Sequence, residues 1–246
     1  MFGEKNADKV EQQLLTRNVD VLWLGSNPSV KTGLDRILDT HSDDSHFKTF
    51  IAQMESGMFS QHAVDAGASI TWNPLQKSNH KWELYRDAIS NSADININAV
   101  AMANFIPWGS PNMEKLAVGV SGTDPRLWNR MLEFSNHLNI QIVEKLKPKL
   151  LIVPRSLGDT SAKAPKFLRG LGIVNEEARN LRPGCGRFGV GMQRYWTGVC
   201  VRGRAEVPVA YLNHPDALRV PRENRQEFVG HFAEVISQLT RGGSGR

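Results

Sequence analysis

Four short stretches of the chain are almost unbroken in apolar residues: VDVLWLG (19–25), INAVAMAN (97–104), KLLIVP (149–154) and VPVAYLN (207–213). A strand with one wet face alternates apolar and polar residues, so continuous runs predict strands covered on both faces, as in a parallel sheet. Helical patterns lie between and after them. HKWELYRDAISNS (80–92) carries Trp82, Tyr85 and Ile89 at helical spacing. The segment 124–148 opens with the helix-start pair Asp124–Pro125 and stops before Pro148. The segment 222–240 sets Phe228, Phe232, Val235 and Leu239 on one face. Strands alternating with helices predict an α/β fold, a three-layer α/β/α sandwich around a central four-stranded parallel sheet. One domain is expected over residues 1–241, with insertions at about 30–75 and 155–195 and a short flexible tail at 242–246. Loops of such length are commonly functional, so both insertions are expected to shape a pocket, the second as a loop rich in Gly and Arg.

Each apolar run ends in polar residues. The first leads to Asn27 and Pro28, the second to Asn104, the third to Arg155 and Ser156, and the fourth to His214. In an open parallel sheet all carboxyl ends lie along one edge, and ligands bind in the crevice there. Any one of these residues alone is better explained as a turn former. Four together point to a shared site.

Composition narrows the setting. The 246 residues are 40% hydrophobic and 22% charged, ordinary for a globular chain. No apolar run is long enough to cross a bilayer, and the charged opening MFGEKNADKV lacks the apolar core of a secretion signal. A cytoplasmic monomer is expected. Cys185 and Cys200 are too few for a disulfide framework or a four-thiolate site, and His41, His46, His62 and His80 form no helical H-x-x-x-H pair. No metal or other cofactor is expected. The net charge is +5, with arginine concentrated in the last third. That favours a polyanionic partner such as DNA, with a solvated basic surface as the competing explanation.

GSNPS (25–29), MANFIPWGSPN (102–112) and LNHPDALRVP (212–221) resemble the signature segments of the uracil-DNA glycosylase superfamily, in the same order, and IQIVEKLKPKLLIVPRSLG (140–158) resembles its helix and third strand. Iron–sulfur members use four cysteines, and this chain has two, so a cluster is not implied. Asn27 stands where the uracil enzymes carry Asp, and is similar to the mismatch-specific and single-strand-selective branches. Asp216 stands where Ser or Ala is usual; helix capping or an arginine partner is its expected use.

The resemblance implies cleavage of the C1′–N bond of a flipped nucleotide, leaving an abasic site. The reaction passes through an oxocarbenium-like sugar with negative charge growing on the leaving base. His214 is then the donor to that charge, as a neutral imidazole aimed at a base carbonyl; the competing reading is a hydrogen-bonded interior histidine. Asn27 is expected to orient the attacking water, its amide being too weak a base to take a proton. Asn104 is expected to read the base edge, since one amide offers both a donor and an acceptor; the alternative is a turn cap. Trp72 and Phe47, then Trp108, are the candidates to stack on the base, beside Pro28, although a Trp in an α/β protein is often core. Phosphate contacts are expected from Ser29, Ser110, Ser156 and Arg155. Leu218 and Arg219 sit where relatives fill the gap left by the flipped nucleotide. The implied substrate is a damaged or modified pyrimidine. It is either uracil or, given the long insertions, a bulky modified cytosine such as the glucosylated hydroxymethylcytosine of phage DNA, which an antiviral branch would attack. Two rivals stand beside this: a non-catalytic DNA-binding module of the same fold, and a nucleoside hydrolase.

Overall fold

The computed structural model describes residues 18–25, 71–72, 75, 82–106, 117–118, 120–122, 124–154, 182–188, 191–202, 205–215 and 218–242. The chain divides into two compact units. One holds Met1–Thr16, Gly25–Ile70 and Ala103–Asn139; the other holds Arg17–Leu24, Thr71–Met102 and Ile140–Arg246.

The chain is α/β. All four apolar runs form strands: β1 (Val21–Gly25), β3 (Val100–Asn104), β4 (Leu150–Pro154) and β7 (Ala205–Leu212). The three helical patterns form α1 (Glu83–Ser90), α2 (Pro125–Leu146) and α3 (Arg225–Gly242). Three further strands, β2 (Thr71–Trp72), β5 (Arg182–Phe188) and β6 (Gly191–Arg202), complete a seven-stranded mixed sheet in the order β2-β3-β1-β4-β7-β6-β5. The sheet is therefore three strands wider than the apolar runs predict. β1 pairs with β4 and β4 with β7 in parallel, while β2–β3, β6–β7 and β5–β6 are antiparallel.

The second insertion is corrected by this finding. Residues 182–188 and 191–195, expected within a loop, lie in the β5–β6 pair. The segment escaped prediction because its glycines oppose strand propensity. Gly184 and Gly186 are needed for packing: a Cβ at Gly184 would overlap the Tyr195 ring, and one at Gly186 would overlap Phe188. Those two rings lean on α3. Tyr195 meets Phe232 at 5.3 Å between centroids, and Phe188 meets Phe228 at the same distance.

In the second unit, alternate strand residues Val21, Trp23, Leu150, Ile152, Ala210 and Leu212 form one core with Tyr85, Ala88 and Ile89 of α1 and Phe228, Phe232 and Ile236 of α3. The residues between them, Leu22, Leu151, Val153 and Val209, are equally buried. Since successive strand residues point to opposite faces, both faces of these strands are covered, which is why the runs are continuous in apolar residues. Aromatic contacts knit the α1–α3 side: Phe228–Phe232 at 4.5 Å, Trp23–Tyr85 at 5.3 Å and Tyr85–Phe228 at 5.7 Å. Such pairs each add about 1 kcal/mol beyond the area they bury. The Arg225–Glu83 pair joining the two helices, 3.8 Å apart and half exposed, adds little.

The amino ends of the strands are tied by Asp20. Its Oδ2 accepts from the Asn96 backbone N–H at 2.7 Å and its Oδ1 faces Lys149 Nζ at 3.0 Å. Its own backbone donates to Ala99 O and accepts from Leu150 N. α2 starts as its sequence dictates, with the Asp124 carboxylate accepting from Arg126 N at 2.8 Å. It ends at Lys147, whose φ of 45° is left-handed, immediately before Pro148.

Candidate functional site

β1, β4 and β7 run parallel, so their carboxyl ends share one edge of the sheet. His214 stands two residues beyond the end of β7 and is half-buried. Its ring meets Trp82 edge-on, with centroids 6.3 Å apart. Trp82 is itself half-buried at the start of α1 and packs on the core Trp23 at 4.9 Å. The imidazole thus rests against an indole that is fixed from below.

The backbone around His214 is held from two elements. The Tyr85 hydroxyl, on α1, donates to Asn213 O at 2.8 Å. Complete burial pushes this phenol far above the ordinary tyrosine range, so it stays a donor. From β6, Gln193 takes both ends of the loop. Its Oε1 accepts from Asn213 Nδ2, and its Nε2 donates to Arg219 O at 3.2 Å. Inside the loop Leu218 N–H donates to Pro215 O at 3.2 Å, and the exposed Arg219 guanidinium donates to Leu218 O at 3.2 Å. His214, Leu218 and Arg219, three of the residues singled out from sequence, therefore share one braced loop.

Asn104, in the other unit, is half-buried as the last residue of β3. Its successor Phe105 is fixed on both sides. Phe105 N–H donates to Gly25 O at 2.7 Å, and Phe105 O accepts from Asn139 Nδ2 at 2.8 Å. Asn139 is fully buried on α2 and also donates to Ser135 O at 2.6 Å. The backbone of Trp72 lies in β2, paired with Ala101. Asn27, Pro28, Ser29, Phe47, Trp108, Ser110, Arg155, Ser156 and Asp216 lie outside the described residues.

Sequence reasoning missed Tyr85, Trp82, Asn213, Gln193 and Asn139 as supports of these positions. Tyr85 and Trp82 count as apolar in a periodicity, and only the rule that a buried phenol seeks a partner points to the hydroxyl. Asn213 was visible beside His214. Gln193 carries no local signal.

The arrangement offers an imidazole able to donate or accept a proton on a rigid aromatic support, and an exposed cation five residues further along the chain. Among the described residues no group of three or more His, Cys, Asp or Glu stands close enough to hold a metal ion, and no helix is long and apolar enough to cross a membrane. Compared with protein-family models and with curated proteins, the chain matches none.

Proposed function

We propose that the chain is a monofunctional DNA glycosylase of the uracil-DNA glycosylase type. It would hydrolyse the N-glycosidic bond of a flipped, damaged or modified pyrimidine. The carrying observation is His214: directly beyond a parallel strand, held on both sides through its loop, and followed by the exposed Arg219. The order of the signature segments along the chain supports the same reading.

In this reading β3 belongs to a four-stranded parallel centre with β1, β4 and β7, within a three-layer sandwich. The bonds from Asp20 N to Ala99 O and from Phe105 N to Gly25 O are in favour, since they join the two strands start to start and end to end. Chemistry then follows from placement. The C1′–N bond breaks with its electron pair leaving on the base, and His214 donates a hydrogen bond to the oxygen where charge gathers. Water, oriented by Asn27, adds to C1′ and loses its proton to solvent. Asn104 reads the base edge, and Arg219 meets phosphate. Uracil or a bulky modified cytosine is the base released.

The experiment incubates the protein with uracil-containing duplex, unmodified phage DNA and glucosylated phage DNA, then heats the products in alkali to cut abasic sites. Breaks in the uracil duplex alone retain the enzyme and discard the bulky substrate; breaks in glucosylated DNA establish it. Binding that weakens steeply with salt but yields no breaks makes the chain a DNA-binding module instead. Substitution Asn27→Ala should abolish breaks while leaving DNA affinity in place.

A further inference from the structure

We infer that Gln193 is a positioning residue: its side-chain amide closes the base of the 213–219 loop and so fixes where His214 points. The inference rests on the glycosylase reading for its effect on turnover, while the closure itself does not depend on it. Gln193 is 7% exposed in β6, so its amide needs partners. It has two, and they are the two ends of the loop. Oε1 takes the Asn213 side chain, next to His214, and Nε2 takes the Arg219 carbonyl, where the chain leaves the loop. A glutamine suits this role because one planar group accepts on one side and donates on the other. Leucine of similar volume can do neither. Glutamate keeps the acceptor for Asn213 Nδ2 but turns an oxygen towards the Arg219 carbonyl.

Tyr85 holds the entrance of the loop independently, through Asn213 O. With Gln193 absent the entrance therefore keeps its bond from Tyr85, while the exit loses its bond from Nε2. The consequence falls on the peptide bond after Arg219. Arg219 is exposed and is followed by Val220, which makes this bond a substrate for trypsin. Its carbonyl is the group that Gln193 Nε2 holds. A protease must pull that carbonyl out of its hydrogen bond into an extended strand, so cleavage reports on opening of the loop.

The test compares wild-type protein, Gln193→Leu, Gln193→Glu and Asn213→Ala. It follows the tryptic fragment ending at Arg219 by mass, and kcat and KM on whichever DNA the wild type cleaves. Gln193→Leu should release the fragment roughly ten-fold faster and lower kcat about ten-fold, with KM within about three-fold, because contacts to DNA remain and only the reacting geometry loosens. Gln193→Glu should fall between it and wild type. Should Gln193→Leu fail to fold, Gln193→Glu removes the bond to Arg219 O alone and Asn213→Ala the bond to Oε1 alone, so the two together carry the same comparison, with the faster tryptic release expected in Gln193→Glu. An unchanged tryptic rate overturns the closure, and a faster rate with unchanged kcat overturns the positioning role. If the wild type cleaves no DNA, the glycosylase reading falls, and the tryptic rate still decides the closure.

Discussion

Where β1 and β4 begin, a single carboxylate gathers the backbone: Asp20 accepts from Asn96 N, faces Lys149 Nζ and pairs its own main chain on both sides. Where β7 ends, neutral groups do the equivalent work. A phenol and an amide, Tyr85 and Gln193, grip main-chain carbonyls on either side of residues 214–218. The first device uses up its charge in fastening the fold. The second fastens the loop through main-chain carbonyls and the Asn213 side chain, with no ionised group among its fasteners. If the chain is the glycosylase proposed, a charge at the amino end serves stability and a charge at the carboxyl end serves chemistry, a division that substitutions can break.

The largest expected effect is that of His214→Ala. If the chain cleaves DNA as proposed, turnover should fall by about 10²- to 10⁴-fold, whereas the unfolding free energy from urea denaturation should move by about 1 kcal/mol, the edge contact with Trp82 being among the packing lost. Single-turnover rates and denaturation on the same preparation decide it. A stability loss of several kcal/mol with turnover per folded molecule intact would make the histidine a core residue and erase the contrast.

Asp20→Ala should behave in the opposite way. It removes a carboxylate, itself only 12% exposed, that accepts from the Asn96 backbone amide and pairs with Lys149. A loss of about 2–3 kcal/mol is expected, with kcat of the folded fraction within about two-fold. Asp20→Asn should recover part of the loss, because an amide oxygen can still accept from Asn96. A large kcat effect in Asp20→Ala would mean that the two ends of the sheet are coupled.

How much of this was readable beforehand follows from burial and from chain distance. β1 and β4 were legible because both faces are covered, so every residue in Val21–Leu24 and Leu150–Val153 bears the mark of burial. β5 and β6 were not, because Gly184 and Gly186 make room for rings and so look like loop. His214, Leu218 and Arg219 were legible as one loop because they are neighbours in sequence. Their supports were hidden by separation: the Tyr85 hydroxyl finds Asn213 128 positions on, and Gln193 finds its partners 20 and 26 positions on. No local pattern encodes such pairs. Asn139, which fixes the exit of β3 in the other unit, was similarly lost in a helical periodicity.

Half of the neutral fastening, the Tyr85 bond to Asn213 O, holds only while the phenol keeps its proton. Burial raises the pKa of Tyr85 and of Tyr211, the latter helped by Cys200 nearby. Both groups stay protonated when the fold is intact, whereas an unfolded tyrosine ionises near pH 10. Their contribution is therefore full below about pH 10 and is lost as pH climbs above it, by up to about 1.4 kcal/mol per pH unit for each tyrosine. Thermal unfolding between pH 8 and 11.5 should show this fall. Tyr211→Phe should flatten it and, because the Tyr211 hydroxyl has no hydrogen-bond partner among the described residues, should raise stability near neutrality by about 1 kcal/mol. Tyr85→Phe should flatten it too but lose about 1 kcal/mol at neutral pH, its hydroxyl being bonded to Asn213 O. Identical behaviour of the two variants would mean that the Tyr85 bond contributes nothing to the carboxyl end.

The smallest effect tests the amino end once more. Lys147 links α2 to β4 with a φ of 45°, a conformation that its Cβ disfavours. The turn is nevertheless built there: Lys147 N–H donates to Val143 O at 2.9 Å, Pro148 bars the helix from continuing, and Leu150 N–H must reach Asp20 O. Lys147→Gly removes the strain and loses an exposed side chain, at the expense of greater freedom in the unfolded chain. A net gain of about 0.5–1 kcal/mol is expected, read as a higher urea midpoint with an unchanged slope. Because the strain sits where the sheet starts, turnover and DNA affinity should both stay at wild-type values. A gain in stability accompanied by a fall in kcat would show that tension at the start of β4 is transmitted to its carboxyl end, and the proposed separation between a fastening end and a reacting end would have to be given up.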